Sequence, residues 1–332
     1  MMESLQCPSE FWRQAVPSIA EETIGACLLC GGKDFEQYAS GFDYEIRTCA
    51  NEWHFRRCTA CGHVQLDPRP CAAELEVIYP EHYYSYSMSK RISPIALKGK
   101  DLLDKFKLNG ILRHRGTSIA TYLDIGCGDG RYLRSIEKFC GIRRADIFGL
   151  ELSAQTVNAL RQEGFSVFHE RIETCRDIAP ASISFATMFH VIEHVADPVA
   201  AIAQVSAWLA PGGILAIETP NIDSTDARLF KRTFWGGYHF PRHWHLFHEA
   251  TLASLMRRNG MEPVHVSYQT GHSFWMYSVH HWIRYRLKLK WLSRFFDPMQ
   301  GLFFLILFTG FDKLRALLGM RTSSILMVAR KV

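Results

Sequence analysis

The sequence contains no run of about 20 uncharged apolar residues, the length a helix needs to span a bilayer. Its longest such stretch, near Gly301–Phe311, is too short. The start, MMESLQCPSEFWRQ, has no basic segment followed by an apolar one, so no signal peptide is expected. There is no internal repeat and no low-complexity tract. With 48% hydrophobic and 21% charged residues, wholesale disorder and a collagen-like fibre are excluded. Neither charge sign dominates: 38 Lys+Arg face 33 Asp+Glu, and the net +5 does not predict a nucleic-acid partner. Cysteine is sparse for a disulfide scaffold, at ten in 332 residues. A reducing, cytoplasmic compartment is the expectation.

Three regions separate along the chain. Residues 1–80 carry paired cysteines and little helical periodicity. Residues 81–120 read as a connector with an aromatic cluster (Tyr83, Tyr84, Tyr86) and an amphipathic helix. Residues 121–332 alternate strands and helices, which implies an α/β fold with a mostly parallel sheet covered on both faces. Seven strands are expected, at 121–125, 146–150, 165–168, 183–188, 214–218, 263–268 and 324–330. Asp197-Pro198 supplies an N-cap and a first-turn proline for a helix read as ending at Pro211-Gly212-Gly213. Before the last strand lies a helical insertion, residues 274–320.

Cys27-x-x-Cys30 and Cys58-x-x-Cys61 can each present two thiolates to one ion. Together they complete the Cys₄ set favoured by structural Zn²⁺. The spacer is expected to hold a hairpin pairing 42–48 with 53–57. The remaining six cysteines are read as free thiols.

The turn Leu123-Asp124-Ile125-Gly126-Cys127-Gly128-Asp129-Gly130 follows a strand and opens a helix. In an open parallel sheet, that is where ligands bind. Its spacing is G-x-G-x-G rather than the G-x-G-x-x-G that seats a pyrophosphate. The Asp124 carboxylate suits a cationic ligand. The next strand ends in Gly149-Leu150-Glu151, where a carboxylate can accept both hydroxyls of a ribose.

LDIGCGDG, GLELS, FHVIEHVADP and the later PGG turn, in that order, resemble the class I S-adenosylmethionine (SAM)-dependent methyltransferases. The resemblance implies a seven-stranded Rossmann-like sheet with a small zinc-ribbon-like module in front. It implies that Asp124, Gly126 and Gly128 border the methionine part of SAM and that Glu151 holds the ribose. Glu173 would lie near the adenine, with Leu152, Phe189 and Tyr84 completing the cofactor site. A zinc knuckle before such a domain resembles sugar C-methyltransferases and related enzymes of bacterial polysaccharide and natural-product pathways. The EHV string is similar to ubiquinone-pathway O-methyltransferases.

Phe189–His194 leaves the fourth strand, and Trp235–Phe247 follows the fifth. Both can converge over the transferable methyl group. Histidine suits deprotonation of a hydroxyl near neutral pH. His194 and His243 are the first candidates for a base, then His190, His239 and His245. Alternatively, Glu193 and His194 with a later histidine hold Mg²⁺ or Mn²⁺ against the acceptor's oxygens. VIEH, TPN and RHWH resemble the metal-binding pattern of small-RNA 3′-terminal ribose methyltransferases, in which a glutamate stands at the place of His190.

Residues 280–318 combine basic and aromatic residues with an apolar run, the pattern of an interfacial helix. The reading is therefore a SAM-dependent methyltransferase. Its acceptor is an oxygen of a sugar or of a small or lipid-linked metabolite. Peripheral contact with the cytosolic face of a membrane is expected, and nucleic acid is not. The alternatives are a non-catalytic SAM-fold scaffold that binds a membrane or partner, and an RNA methyltransferase.

Overall fold

The computed structural model of the chain describes residue 8 and residues 16–80, 94–116, 118–298 and 301–332. Tyr83, Tyr84, Tyr86 and Cys7 lie outside the described residues.

The N-terminal part holds short strands: β1 (Glu21–Glu22), β2 (Phe35–Gly41), β3 (Trp53–Cys58), β4 (Val64–Leu66) and β5 (Arg69–Pro70). β2, β3 and β4 form an antiparallel meander, and β1 pairs with β5. The hairpin expected between 42–48 and 53–57 is corrected: the partner of β3 is Phe35–Gly41. Residues 42–48 turn instead, because the Asp43 carboxylate takes the amide N–H groups of Ile46 and Thr48, at 3.1 and 2.8 Å.

Helix α1 (Pro94–Leu112) leads into the main sheet. Its strands are β6 (Tyr122–Ile125), β7 (Ile147–Leu150), β8 (Ser166–Phe168), β9 (Ile183–Phe189), β10 (Leu209–Pro220), β12 (Met261–Gln269) and β13 (Ser324–Lys331). Their spatial order is β12-β13-β10-β9-β6-β7-β8. Five neighbours run parallel, from β8 to β10, and β13 enters antiparallel between β10 and β12. This is the expected seven-stranded, mostly parallel Rossmann-like sheet. The strand order reverses between β6 and β9, so the crevice at their carboxyl ends lies at Gly126 and His190.

Helices α2 (Arg131–Cys140), α3 (Ala154–Gln162), α4 (Pro198–Trp208) and α5 (Glu249–Arg258) connect the strands. Asp197 caps α4 through the N–H groups of Val199 and Ala200, with Pro198 in the first turn. That helix stops at Trp208. Pro211-Gly212-Gly213 instead forms a bulge inside β10, where the register shifts between Leu209 and Ile214.

Two features cross the boundary expected at residue 80. Strand β11 (His245–Leu246) comes from the histidine-rich segment and pairs with β4, so it completes a four-stranded N-terminal sheet. The segment itself is interior. Trp235, Tyr238, Phe240 and Trp244 pack with Trp53, Phe55 and Leu66 in one buried cluster. In the insertion, α6 (His272–His281) runs into a π-helical turn (Trp282–Arg286), two short turns and α7 (Leu302–Leu317). Among the described residues, no helix is long and apolar enough to cross a membrane.

Candidate active site

The glycine turn is shaped by backbone that only glycine adopts readily. Gly126 has φ +70°, and a Cβ there would sit 2.4 Å from Val191 Cγ2. The turn is pinned to the neighbouring strand by Gly126 and Cys127 N–H groups donating to Leu150 C=O at 2.8 and 3.1 Å. Glu151 follows β7 and reaches back to it. Its carboxylate accepts from Gly128 N at 2.9 Å, Leu152 N at 2.7 Å and Ser153 N at 3.0 Å. A carboxylate fixed by three backbone donors is pre-oriented for a ligand in the crevice. Leu152 beside it leaves an apolar side chain exposed. Glu173 is half-buried, and its Oε1 is buried without a hydrogen-bond partner.

Asp124 is buried at the end of β6. One oxygen accepts from Thr187 Oγ1 at 2.7 Å, and Oδ2 is buried without a partner. Burial, with the nearby Glu151 carboxylate, pushes its pKa up to about 7.

Phe189 ends β9, with its ring 4.8 Å from Tyr132 and the Lys107 ammonium 3.6 Å from its centroid. His190 has φ 56° and stands between two carboxylates: Nδ1 lies 3.2 Å from Glu193 Oε1 and Nε2 lies 3.5 Å from Glu218 Oε1. Its side chain is 42% exposed; desolvation by the surrounding atoms pulls its pKa down, but the two carboxylates outweigh it and push it up to about 10. Glu218 also pairs with Lys107 from α1, and its own pKa is depressed: burial raises it, and the two cations more than reverse that.

The other histidines differ. His194 Nδ1 lies 2.9 Å from Arg242 C=O and 2.9 Å from Tyr79 Oη. His243 Nδ1 lies 2.8 Å from Gly237 C=O. A carbonyl only accepts, so in both rings Nδ1 carries the proton and Nε2 the lone pair. Burial lowers His194 to about 4 and pulls His243 well below its usual value. Their rings are 4.6 Å apart, and His239 is 5.1 Å from His243. His239 Nδ1 bonds Glu45 Oε2 at 2.7 Å. Glu193 is fully buried, accepts from Thr219 Oγ1 at 2.9 Å, and forms with His194 and His243 a group whose ligand atoms lie within 4.8 Å.

The structure thus brings Glu193, His194, His239 and His243 together, with His190 at their edge. It places His245 elsewhere. On β11, its Nδ1 faces His63 Nε2 at 3.1 Å, and burial holds it at about 3. Sequence reasoning missed Lys107, Tyr79, Glu45 and the Asp43–Arg242 pair, which nothing local in the sequence marks. It also missed Glu218, although an acid at the carboxyl end of an otherwise apolar strand was a readable signal.

The four knuckle cysteines also meet. Cys27 and Cys61 Sγ lie 3.5 Å apart, Cys30 and Cys58 Sγ 3.6 Å, and all four fall within 4.8 Å of one another. Tetrahedral Zn–S bonds of about 2.3 Å imply S···S edges of about 3.8 Å, so the set fits zinc. Burial pushes the Cys61 thiol up to about 11, a trend that a bound divalent cation reverses.

The chain was compared with known proteins. Residues 81–266, more than half of it, match the family model described as a methyltransferase domain. A ubiquinone biosynthesis O-methyltransferase from Idiomarina loihiensis is 31% identical over 105 residues, which is 30% of this chain and 42% of that protein. One from Xanthomonas euvesicatoria is 29% identical over 162 residues, 45% of this chain and 65% of that protein. The chain spans about half the length of the curated relatives it matches. A SAM-dependent methyltransferase structure from Archaeoglobus fulgidus aligns over 76% of this chain and all of that one, at 18% identity and a TM-score of 0.47. On the family match, and with the glycine turn and its Glu151 partner at the switch point of the sheet, the chain belongs to the class I SAM-dependent methyltransferases.

Proposed function

We propose that this protein transfers the methyl group of SAM to an oxygen of a small acceptor, a sugar or a lipid-linked metabolite. One observation carries the reading: Glu151, tied to the glycine turn, follows β7, and Glu193-His194 of the histidine cluster follow β9, so the two groups flank β6 at the carboxyl ends of one parallel sheet. The curated relatives are named as O-methyltransferases, which supports oxygen as the acceptor atom.

SAM supplies the electrophilic methyl group. The protein's work is then orientation, exclusion of water and acceptance of a proton. Glu151 orients the ribose, and Asp124 sits beside the positive end of SAM. The two carboxylates flanking His190 favour its charged form, which makes it a weaker candidate for the base. His194 and His243 are neutral, with Nε2 lone pairs held in place, and either can take a proton from a hydroxyl. The interior position of residues 235–247 keeps water from this end of the site.

Glu193, His194 and His243 also support a second reading, in which they hold a divalent ion that binds the acceptor's oxygen. Activity that survives a chelator and gains nothing from added Mg²⁺ or Mn²⁺ rejects it. The Cys₄ set holds a structural zinc.

Isothermal titration of the zinc-loaded protein tests the first step. SAM is expected to bind, and Glu151→Ala is expected to weaken it by about tenfold or more, the worth of a charge-assisted hydrogen bond. No binding by the intact protein rejects the function. Incubation of labelled SAM with aqueous, lipid and RNA extracts then shows which class accepts methyl groups.

A further inference from the structure

Helix α7 is built inside out. Its buried side carries charge: Asp312 is fully buried and accepts from Gly271 N, Trp275 Nε1 and Arg315, at 2.9, 3.1 and 2.8 Å. Arg315 also donates to Thr225 Oγ1 and the Arg321 carbonyl, at 2.6 and 2.9 Å. These bonds fix which side of the helix faces the protein. The other side is left apolar and exposed. Phe303 is 72% exposed and Leu317 84%, with Ile306, Leu307 and Leu314 along the same stripe. Their spacing is helical. A monomer in water rarely exposes a contiguous apolar stripe of this kind.

The elements packed against the start of α7 supply the second half of the pattern. The rings of Phe296 and Phe304 meet at a tilt, with centroids 4.2 Å apart. Just before it, Arg286, Lys288, Lys290 and Arg294 are exposed, interleaved with the exposed rings of Trp291 and Phe295. Basic groups and aromatic rings beside an apolar helix face match a headgroup layer over acyl chains.

We propose that residues 282–296 and the outer side of α7 dock on an anionic lipid surface. Charge selects this occupant. A two-fold contact between copies would set the basic patch against itself, and an RNA strand would leave the apolar stripe uncovered. The docking face is continuous with the candidate site. From α6, Ser278 Oγ accepts from Gly236 N at 2.8 Å, and Tyr285 donates to the Tyr44 carbonyl at 3.1 Å. His281, at the end of α6, lines a small cavity with Glu45, Trp235 and His239. Docking therefore brings the histidine end of the site close to the lipid, where a lipid-linked acceptor would arrive. This last step rests on the methyl-transfer reading; the docking does not.

The test is co-sedimentation of the full, zinc-loaded chain with vesicles of phosphatidylcholine alone or mixed with phosphatidylglycerol. Wild type is expected to pellet with the mixed vesicles and to be released by salt. The double variant Phe303→Glu/Leu317→Glu and, separately, Arg286→Glu/Lys288→Glu are expected to lose more than about tenfold in partitioning while keeping SAM affinity. Three results overturn the proposal. One is no pelleting with mixed vesicles. Another is pelleting that neither double variant weakens. The third is a vesicle-free dimer that Phe303→Glu/Leu317→Glu splits. Vesicle binding without SAM binding would reject the methyl-transfer reading and leave the docking intact.

Discussion

Asp124 and His190 carry unusual charge states for opposite reasons. Asp124 is raised from 3.8 to about 7 because its carboxylate is buried near another one. Its favourable contribution to the ligand-free fold is complete below pH 3.8 and is lost as pH rises through about 7. A cationic ligand beside it pulls the pKa back down. SAM binding should therefore release a proton near neutrality and tighten as pH rises between about 6 and 8. Calorimetry in buffers of different ionisation enthalpy reads the proton, and Asp124→Asn should abolish both effects. His190 is raised from 6.5 to about 10, so its stabilising contribution is present below pH 6.5 and lost as pH rises through about 10. The melting temperatures of wild type and His190→Gln should therefore converge on the alkaline side. Pattern alone could mark Asp124, since it precedes a glycine turn. It could not mark the charge on His190, which depends on Glu218 from a different strand.

At the level of elements, the glycine turn tolerates little change. Gly126→Ala adds a Cβ into Val191 at a positive φ, and should cost about 1–3 kcal/mol and most of the SAM affinity. Thermal unfolding and titration would show both losses. The strands and helices of residues 121–332 were legible because buried parallel strands read as apolar runs and some of their helices carry clear caps, as Asp197-Pro198 shows. The hairpin of the N-terminal module was not legible. An Asp43 turn within 42–48 looks like a strand by hydrophobicity, and only the side chain's bonds to backbone reveal it. Likewise, the density of histidines was visible, but His245 belongs to β11 rather than the cluster. A two-residue strand is defined by its distant partner and leaves no periodicity of its own.

Over the whole molecule, the N-terminal module and the segment at residues 235–247 share a buried ion pair and a strand pairing. Arg242 donates to both oxygens of Asp43 at 2.9 Å, and both side chains are fully buried. Asp43→Ala strands that guanidinium and should cost about 3–5 kcal/mol, read as a lower urea midpoint. Burial opposes ionisation of Asp43, but Arg242 outweighs it and holds its pKa at about 2. Its contribution is therefore present above pH 3.8 and disappears as pH falls through about 2. Removing the proposed zinc should loosen residues 235–247 as well as the knuckle, and hydrogen exchange would detect it. The shared strand β11 also sets an order of events during synthesis. β4 is complete at residue 66 but gains its edge partner only once residues 245–246 have left the ribosome. Until then the nascent module presents an open strand edge to the crowded cell, with its own downstream chain as the intended cover. A ribosome-stalled chain whose emerged part ends before residue 245 should therefore recruit chaperones that a chain whose emerged part extends beyond Phe247 sheds.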